Sequence, residues 1–210
     1  MTAARALGPL AEPITIDTPN LRVRTLTIAD ASDRFATWFS QGEVRSALNL
    51  PAQDKTKADI VAYIKTFDQR SNLLLGFFDR ANDLLVGLFT IQIDWQIERY
   101  LVNTVVGEAA YRSKGVMLEM TLPFREYFFE TLGLKVMTAT ALATNKAIIA
   151  YLVKTGWTLN QTLKGHMKSH ADGTMIDLHL YSITREAWRA WKAANPQAVK
   201  AMAEGHLRSP

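Results

Sequence analysis

The order of strand-like and helix-like segments in this sequence predicts an α+β, or mixed α/β, fold. A strand and two helices come first, hairpin-forming strands follow, and strands then alternate with helices before two final strands. The length of 210 residues suits one domain with short tails. An apolar fraction of 48% and a charged fraction of 21% are ordinary for a soluble globular protein. We therefore expect a single α+β domain.

The first third of the chain is predicted to hold an extended leader, one strand and two helices. Residues 1–20 are rich in Ala, Pro and Thr without periodicity, so we interpret them as a leader and begin the domain at Leu21. The alternating apolar residues that follow indicate a strand. Asp30 precedes an apolar helical pattern and is the predicted N-cap of a helix that ends at Gln41-Gly42. A second helix is predicted over residues 57–69, where apolar residues share one side.

Turn signals between apolar runs predict the rest of the domain. Polar residues 79–83 read as a hairpin connection, and Gly133 and Gly156 are natural ends for two helices. Pro123 lies inside the first of these helices and is expected to kink it. The predicted strands are residues 73–78, 84–94, 100–106, 135–142, 158–168 and 174–182, and the predicted helices are residues 116–132 and 146–154. The domain is expected to span residues 21–188, and residues 189–210 read as a short helix and a polar tail.

The composition excludes several classes of site. The sequence has no cysteine, which rules out a disulfide, a thiolate metal site and a cysteine nucleophile, and its four histidines lack metal-ligand spacing. No apolar run is long enough to span a bilayer and no signal-like segment begins the chain, so we expect a cytoplasmic protein without membrane attachment. The formal charge of +4 suits a phosphorylated ligand, an acidic partner or nucleic acid and is too small to choose among them. The absence of Lys/Arg runs makes nucleic-acid binding the minor interpretation.

The segment from Tyr111 to Met117 lies where a predicted strand gives way to a predicted helix. The first amides of a helix have no carbonyl partner within it, and the helix dipole adds positive charge, so such a place binds anions. Gly115 permits close approach of a ligand, and Arg112 and Lys114 add full positive charges. These residues by themselves leave two interpretations open: a phosphate-binding loop, or an ordinary strand-to-helix turn with a surface Arg and Lys.

Two motifs in this part of the chain resemble those of a known family. Arg112-x-x-Gly115-x-Met117 resembles the Arg/Gln-x-x-Gly-x-Gly/Ala loop that binds the acyl-CoA pyrophosphate in the GNAT superfamily of N-acetyltransferases. Downstream, Asn145 precedes a helix that ends in Gly156-Trp157, which is similar to the family's Asn before a helix ending in Gly-Phe. The pattern spans most of the chain and is most similar to the RimJ/RimL branch, whose members acetylate protein N-termini or small amines.

The resemblance implies a fold and a ligand site. It implies a central, mostly antiparallel sheet that is splayed between its fourth and fifth strands, here residues 100–106 and 135–142, with acetyl-CoA held in the gap. An amine acceptor would approach from the other side, and a homodimer is left open. Asn145 is expected to contact the cofactor or an ordered water, with capping of the following helix as the alternative. The pyrophosphate would be bound, largely through the backbone, by Arg112, Ser113, Lys114, Gly115, Val116 and Met117.

Three positions depart from the family pattern and bear on the acid. Met117 replaces a small residue of the loop, and Ile148 stands where the branch often has Ser. Leu152 stands where many members have the Tyr that protonates the leaving thiolate. Tyr151 lies one residue earlier, about 100° away around the helix, and is predicted to face elsewhere. We keep Tyr151 as a candidate acid, beside a half-buried packing role.

The sequence leaves the general base open. Val102 occupies the position where RimJ/RimL-like strands often carry Glu. Glu108, just ahead of the loop, is the candidate that we name, with Asp94, Glu98 and water-relayed deprotonation as alternatives.

The resemblance thus predicts an N-acetyltransferase that moves an acetyl group from acetyl-CoA to a primary amine by direct attack and without a metal. One alternative is a protein of the same fold that binds acyl-CoA for sensing or interaction, because the usual acid and base positions are not filled. A third reading is a basic interaction module that binds no CoA. The identity of the acceptor and the length of the acyl chain are not determined by the sequence.

Overall fold

The computed structural model describes residues 8–205, which fold around one eight-stranded sheet. The strands lie side by side in the order β1-β2-β3-β4-β5-β6-β8-β7. Their bounds are β1 Thr15–Asp17, β2 Leu21–Thr25, β3 Asn72–Asp79, β4 Leu84–Asp94, β5 Arg99–Val106, β6 Val136–Leu142, β7 Thr158–Lys168 and β8 Met175–Thr184. The strands predicted from the sequence are all present, with ends that differ by a few residues.

Neighbouring strands are antiparallel throughout this sheet except for β5 and β6. These two strands run parallel and pair over three residues each, Arg99–Leu101 opposite Val136–Thr138. Both continue beyond the pairing, β5 to Val106 and β6 to Leu142. The predicted α/β class with a mostly antiparallel central sheet is confirmed. The predicted gap falls between the fifth and sixth strands, because β1 adds a strand to the count, and the splay itself stays a prediction.

Helices cover both faces of the sheet. The α-helices within residues 8–205 are α1 Asp33–Thr37, α2 Gly42–Leu48, α3 Lys57–Ile64, α4 Val116–Arg125, α5 Lys146–Lys154, α6 Arg185–Ala194 and α7 Pro196–Glu204. One face packs against α1 to α3 through residues such as Phe35, Trp38 and Leu88. The other face packs against α4 and the helices after it, around Phe89 and Phe128. Alternation along each strand sends neighbouring side chains into these two separate cores.

The first helical region is divided more finely than the sequence predicted. Ser32, not Asp30, caps α1, because the Ser32 hydroxyl accepts a hydrogen bond from Phe35 N at 3.1 Å. The Asp30 carboxylate instead closes a capping box with Thr27. Gln41-Gly42, which we expected to end a helix, begins α2. That helix was missed because a glycine in the first turn gives no helical signal.

The helix that follows the Tyr111–Met117 segment changes its hydrogen-bonding pattern after Pro123. It is α-helical from Val116 to Arg125 and continues as a π-helix over Glu126–Thr131. Proline has no amide hydrogen for the usual bond to the preceding turn, so an irregularity is expected near it. The irregularity takes the form of a π-helical segment, and the chain leaves the helix at Gly133 with φ of 77°.

The segments before residue 21 and after residue 188 both pack onto the sheet and α4. Thr15–Asp17 form β1, which pairs with β2, so part of the predicted leader belongs to the sheet. Trp188 of α6 and Met202 of α7 are buried in the core on the α4 side. The domain limits at residues 20 and 188 stay predictions, and residues 1–7 and 206–210 lie outside the described part of the chain.

A buried carboxylate fastens the turn between β1 and β2 to α4. Glu119 is 2% exposed and accepts hydrogen bonds from the Thr18 hydroxyl, from Asn20 N at 2.8 Å and from Asn20 Nδ2 at 3.1 Å. The same Asn20 amide donates to the Gly205 carbonyl at 2.6 Å, just beyond α7. Asn20 therefore links Glu119 of α4 to the residue that follows α7.

Glu119→Ala is expected to lower the free energy of unfolding by about 3 kcal/mol, because it leaves the Thr18 hydroxyl and the Asn20 amides without their acceptor. Urea denaturation followed by circular dichroism measures this change. Glu12→Ala makes the same replacement at an exposed position and is expected to stay within about 0.5 kcal/mol of the wild type. Equal unfolding midpoints for the two variants would contradict this role of Glu119.

Candidate active site

The turn between β5 and α4 presents a row of backbone amides. Ser113 and Gly115 adopt left-handed backbone angles, with φ of 60° and 90°, and Gly115 is the residue before α4. The first hydrogen bond that closes a helical turn runs from Glu119 N to the Gly115 carbonyl at 3.0 Å. The amides of residues 115–118 precede it, and no side chain caps them. This N-terminus therefore has the geometry that binds an anion.

The Arg112 side chain holds the turn together. Its guanidinium donates to the Val106 carbonyl at 3.1 Å and to the Gly107 carbonyl at 2.8 Å, at the end of β5. It also contacts the side chains of Gln41 and Glu43 at the start of α2. The Arg112 backbone N–H is also used within the fold, because it donates to the Ala109 carbonyl at 3.2 Å. A contact of Arg112 with an anion therefore stays a prediction.

A cavity of about 250 Å³ opens between β5 and β6 beyond their three paired residues. Residues 102–104 line it from β5 and residues 139–142 line it from β6. Met117 lines it from α4, with its sulfur 3.6 Å from Thr104 Oγ1. Because Met117 also carries one of the amides of the row, the N-terminus of α4 and the cavity adjoin each other.

Asn145 lies at the cavity wall and caps α5. Its Oδ1 accepts a hydrogen bond from Ile148 N at 3.2 Å, and its Nδ2 donates to the Ala47 carbonyl of α2 at 3.4 Å. Asn145 is therefore the N-cap of α5, the alternative role that we named for it. Its contact with a cofactor stays a prediction, which its position in the cavity wall permits.

Tyr151 also lines the cavity, together with its neighbour Leu152. The prediction that one helical step turns Tyr151 away was wrong, because the cavity wall spans more than one position around α5. The Tyr151 hydroxyl lies 2.8 Å from Thr121 Oγ1 of α4. Ile148, one turn earlier on α5, lines the same wall. Sequence and structure therefore bring Asn145 and Tyr151 together at one cavity.

Arg125 is a residue of this site that the sequence analysis missed. It lines the cavity although it is 1% exposed, and it donates to the Thr155 carbonyl at 2.7 Å and to the Thr155 hydroxyl at 3.1 Å. The rings of Trp188 and Trp157 lie 4.6 and 5.3 Å from its guanidinium carbon. Burial lowers the pKa of Arg125, and the neighbouring Tyr151 hydroxyl acts in the opposite direction. An arginine inside an apolar helical pattern gives no signal of such a position.

Glu108 does not line the cavity. Its two carboxylate oxygens accept from Arg34 at 2.8 and 2.7 Å, and one of them also accepts from the Trp38 indole at 2.9 Å. The hydrogen bonds from Arg34 hold the pKa of Glu108 below its usual range, although burial acts in the opposite direction. Glu108 therefore joins the end of β5 to α1, away from the residues that surround the cavity.

The sequence of this chain matches a known protein family. The pattern of the acetyltransferase (GNAT) domain matches residues 20–158, which include the loop, the cavity walls and Asn145. The chain belongs to the GNAT family. No curated protein sequence matches it.

Several solved acetyltransferase structures have the same fold as this chain. A GCN5-related N-acetyltransferase from Brucella melitensis has a TM-score of 0.74 at 15% identity, over 95% of this chain and 90% of its own. Ribosomal-protein-S5-alanine acetyltransferase from Vibrio fischeri has a TM-score of 0.70 at 15% identity, over 83% and 98%. Spermidine N-acetyltransferase from Vibrio cholerae, in complex with CoA and spermine, has a TM-score of 0.70 at 15% identity, over 81% and 98%. At these identities the likeness concerns the GNAT fold.

Residues 8–205 contain neither a candidate membrane-spanning helix nor a candidate metal-binding group. No helix in this range combines the length and the apolar character that crossing a membrane requires. His, Asp and Glu side chains form no group of three in this range that could hold a metal ion.

Glu108→Gln is expected to lower the free energy of unfolding at pH 7 by about 1–2 kcal/mol, because it removes charge-assisted hydrogen bonds. The pKa of Glu108 is lower in the folded state than in the unfolded chain. Its stabilisation is therefore fully present above the unfolded value of about 4.3 and is lost as the pH falls through the folded pKa. The difference between the wild type and the variant should stay constant from pH 7 to about 5 and shrink on further acidification.

Urea denaturation at several pH values measures this difference. Glu12→Gln is the matched control at an exposed position. A gap between wild type and Glu108→Gln that widened on acidification would show that the folded pKa of Glu108 is raised rather than lowered.

Proposed function

We propose that this GNAT protein is an N-acetyltransferase that moves an acetyl group from acetyl-CoA to a primary amine. The observation that carries the proposal is the junction of two features at Met117. One is the row of uncapped amides at the start of α4, and the other is the cavity between β5 and β6. A diphosphate suits the amides, and an extended chain that ends in a thioester suits a cavity lined by β5 and β6 beyond their paired residues.

Residues of the loop and the strands would hold the donor. The amides of Ser113, Gly115, Val116 and Met117 would bind the pyrophosphate, with the Lys114 side chain adding positive charge. The edges of β5 and β6 beyond Leu101 and Thr138 are not paired with each other, so their backbone groups can bind the amides of the pantetheine arm. Acetyl-CoA supplies an activated acyl carbon, and the protein supplies orientation and a partly dry site. Asn145 would contact the donor or an ordered water.

Deprotonation of the amine is assigned to water rather than to a carboxylate. The described residues that line the cavity include no Asp or Glu. Glu108 lies outside the cavity, where three hydrogen bonds from Arg34 and Trp38 hold its carboxylate. A base must lie within hydrogen-bonding reach of the amine, directly or through one water, so we give Glu108 a structural role and propose a water relay.

The acceptor is proposed at the level of a chemical class. The fold neighbours include an enzyme for a ribosomal protein alanine and an enzyme for spermidine, and their shared chemistry is a primary amine. A second candidate is a GNAT-fold protein that binds acyl-CoA without turnover, and the engagement of Glu108 outside the cavity favours it. The two candidates agree on binding and differ on release of free thiol.

Acetyl-CoA is expected to raise the unfolding temperature of the wild type, because a ligand at a hundredfold excess over its dissociation constant stabilises the native state by about 2.7 kcal/mol. Gly115→Asp is expected to lose most of this shift, since it puts a carboxylate and a strained backbone beside the amides. Gly173→Asp makes the same change at φ of 74°, between β7 and β8, and should keep the shift. Differential scanning calorimetry measures all three.

Equal shifts in the two variants would move the donor site away from the α4 N-terminus. No shift in the folded wild type at saturating acetyl-CoA would overturn the proposal as a whole.

Free CoA thiol is expected when acetyl-CoA and an amine are both present with the protein. Neither compound alone is expected to give it. A thiol reagent measures the release, with an alanine-terminated peptide, a free amino acid and spermidine as acceptors. The N-blocked form of the peptide is the control, because it has no free α-amine to attack. Saturable binding of acetyl-CoA without release for any of these amines would favour the binding protein over the enzyme.

A further inference from the structure

Arg125 places a positive charge at the cavity wall, and no carboxylate in the described part of the chain balances it. Arg125 is the one charged side chain among the described residues that line the cavity. Within residues 8–205 no carboxylate forms an ion pair with it, and its Nε has no hydrogen-bond partner. Burying an unpaired charge is costly, so such a residue calls for a source of compensation.

Part of the compensation is structural. Thr155 is the residue after α5, so the guanidinium binds the negative end of that helix. The rings of Trp157 and Trp188 add cation–π contacts. These contacts stabilise the cation, but each comes from a neutral group and leaves its full charge beside the cavity.

Contacts between facing residues of α4 and α5 place Arg125 near Tyr151. Met117, Thr121 and Arg125 are spaced four residues apart on α4 and share one face, and Tyr151 and Thr155 face them from α5. The Thr121 hydroxyl donates its single hydrogen to the Met117 carbonyl at 2.7 Å. In the 2.8 Å contact with Thr121, the donor is therefore the Tyr151 hydroxyl. The Tyr151 oxygen is left to accept, and its interaction with the guanidinium favours the positive charge of Arg125.

We propose that Arg125 is a positioning residue that stabilises negative charge on Tyr151 while Tyr151 protonates the departing sulfur of the acyl donor. The inference rests on the proposed acetyltransferase function. A fixed positive charge in a site with little water is most effective where charge develops during the reaction. The lack of a carboxylate partner then has a reason, since a counter-ion would cancel this effect.

The proposed step conserves atoms and charge. The amine nitrogen forms a bond to the acyl carbon, and the bond from that carbon to sulfur breaks with its electron pair on sulfur. The Tyr151 hydroxyl gives up its hydrogen bond to Thr121, transfers that proton to the sulfur and becomes a phenolate beside Arg125. The proton lost by the amine returns to the phenolate through water, so the products are an amide and a thiol.

A double-mutant cycle tests this coupling. Tyr151→Phe is expected to lower kcat by about 100-fold, the low end of what a positioned general acid contributes, with little change in KM for acetyl-CoA. Arg125→Met should lower kcat by about the same factor, because Tyr151 and Arg125 act as one unit. Adding Arg125→Met to Tyr151→Phe should then cost less than about twofold. Arg189→Met, at an exposed ion pair with Glu130, is the control for the substitution.

A purely structural Arg125 gives a different result. Its removal would lower stability and lower activity in both backgrounds by the same factor, and such additivity would overturn the proposal. Arg125→Lys keeps the positive charge while losing the fork that binds Thr155, so it should recover most of kcat even where its unfolding temperature falls. If Arg125→Met does not fold, the cycle is run with Arg125→Lys, and a kcat as low as that of Tyr151→Phe would contradict the proposal.

Product binding gives a readout that needs no turnover. At pH 9 the CoA thiol is partly ionised, so the wild type should bind CoA about tenfold more tightly than desulfo-CoA, which has no sulfur. Arg125→Met should lose this preference and keep its affinity for desulfo-CoA. Isothermal titration measures both, and a preference unchanged in the variant would overturn the inference.

The same measurements separate this inference from the proposed function. A wild type that binds neither acetyl-CoA nor desulfo-CoA would overturn both. A wild type that releases thiol with an amine while the cycle is additive would overturn the role of Arg125 alone.

Discussion

The short parallel pairing between β5 and β6 is the constraint on which the rest of this structure depends. Three residues of each strand meet at Arg99–Leu101 and Val136–Thr138, and the two strands then continue without pairing to each other. Unpaired backbone inside a fold must find other partners, because buried N–H and C=O groups are costly when left unsatisfied. Under the proposed function, the polar groups of an extended ligand would pair with these backbone groups in the cavity and complete the sheet.

Helix α2, which lines the cavity, contacts two of the candidate ligand-binding residues. Arg112 contacts Gln41 and Glu43 at the start of α2, and Asn145 donates to the Ala47 carbonyl near its end. Ala47 itself lines the cavity. The Arg112 loop and the Asn145 cap thus contact opposite ends of α2 and fix its position beside the cavity.

Much of this arrangement could be predicted from local patterns, and the rest depended on long-range contacts. The bounds of α5 and the place of Gly115 before α4 follow from capping and turn residues, which act over a few positions. The partners of Glu108 could not be predicted, because Arg34 and Trp38 lie about 70 residues earlier in the chain and are brought near by packing of α1 on the sheet. The inward position of Tyr151 was missed for a similar reason, since the width of the cavity wall is a property of several elements.

The ends of α4 and α5 differ in how their unpaired backbone groups are satisfied. Asn145 satisfies the first amides of α5, and Arg125 satisfies the carbonyl just beyond its last turn. The first amides of α4 have no such side-chain cap. A helix end without a cap keeps both its unsatisfied donors and its share of the dipole, so the α4 N-terminus stays available to an anionic ligand. Arg125, at the other end of the same helix, carries its positive charge to the far part of the cavity. The two ends of α4 therefore place positive potential at two sites along one cavity, which matches a ligand that is anionic at one end and gains negative charge at the other during reaction.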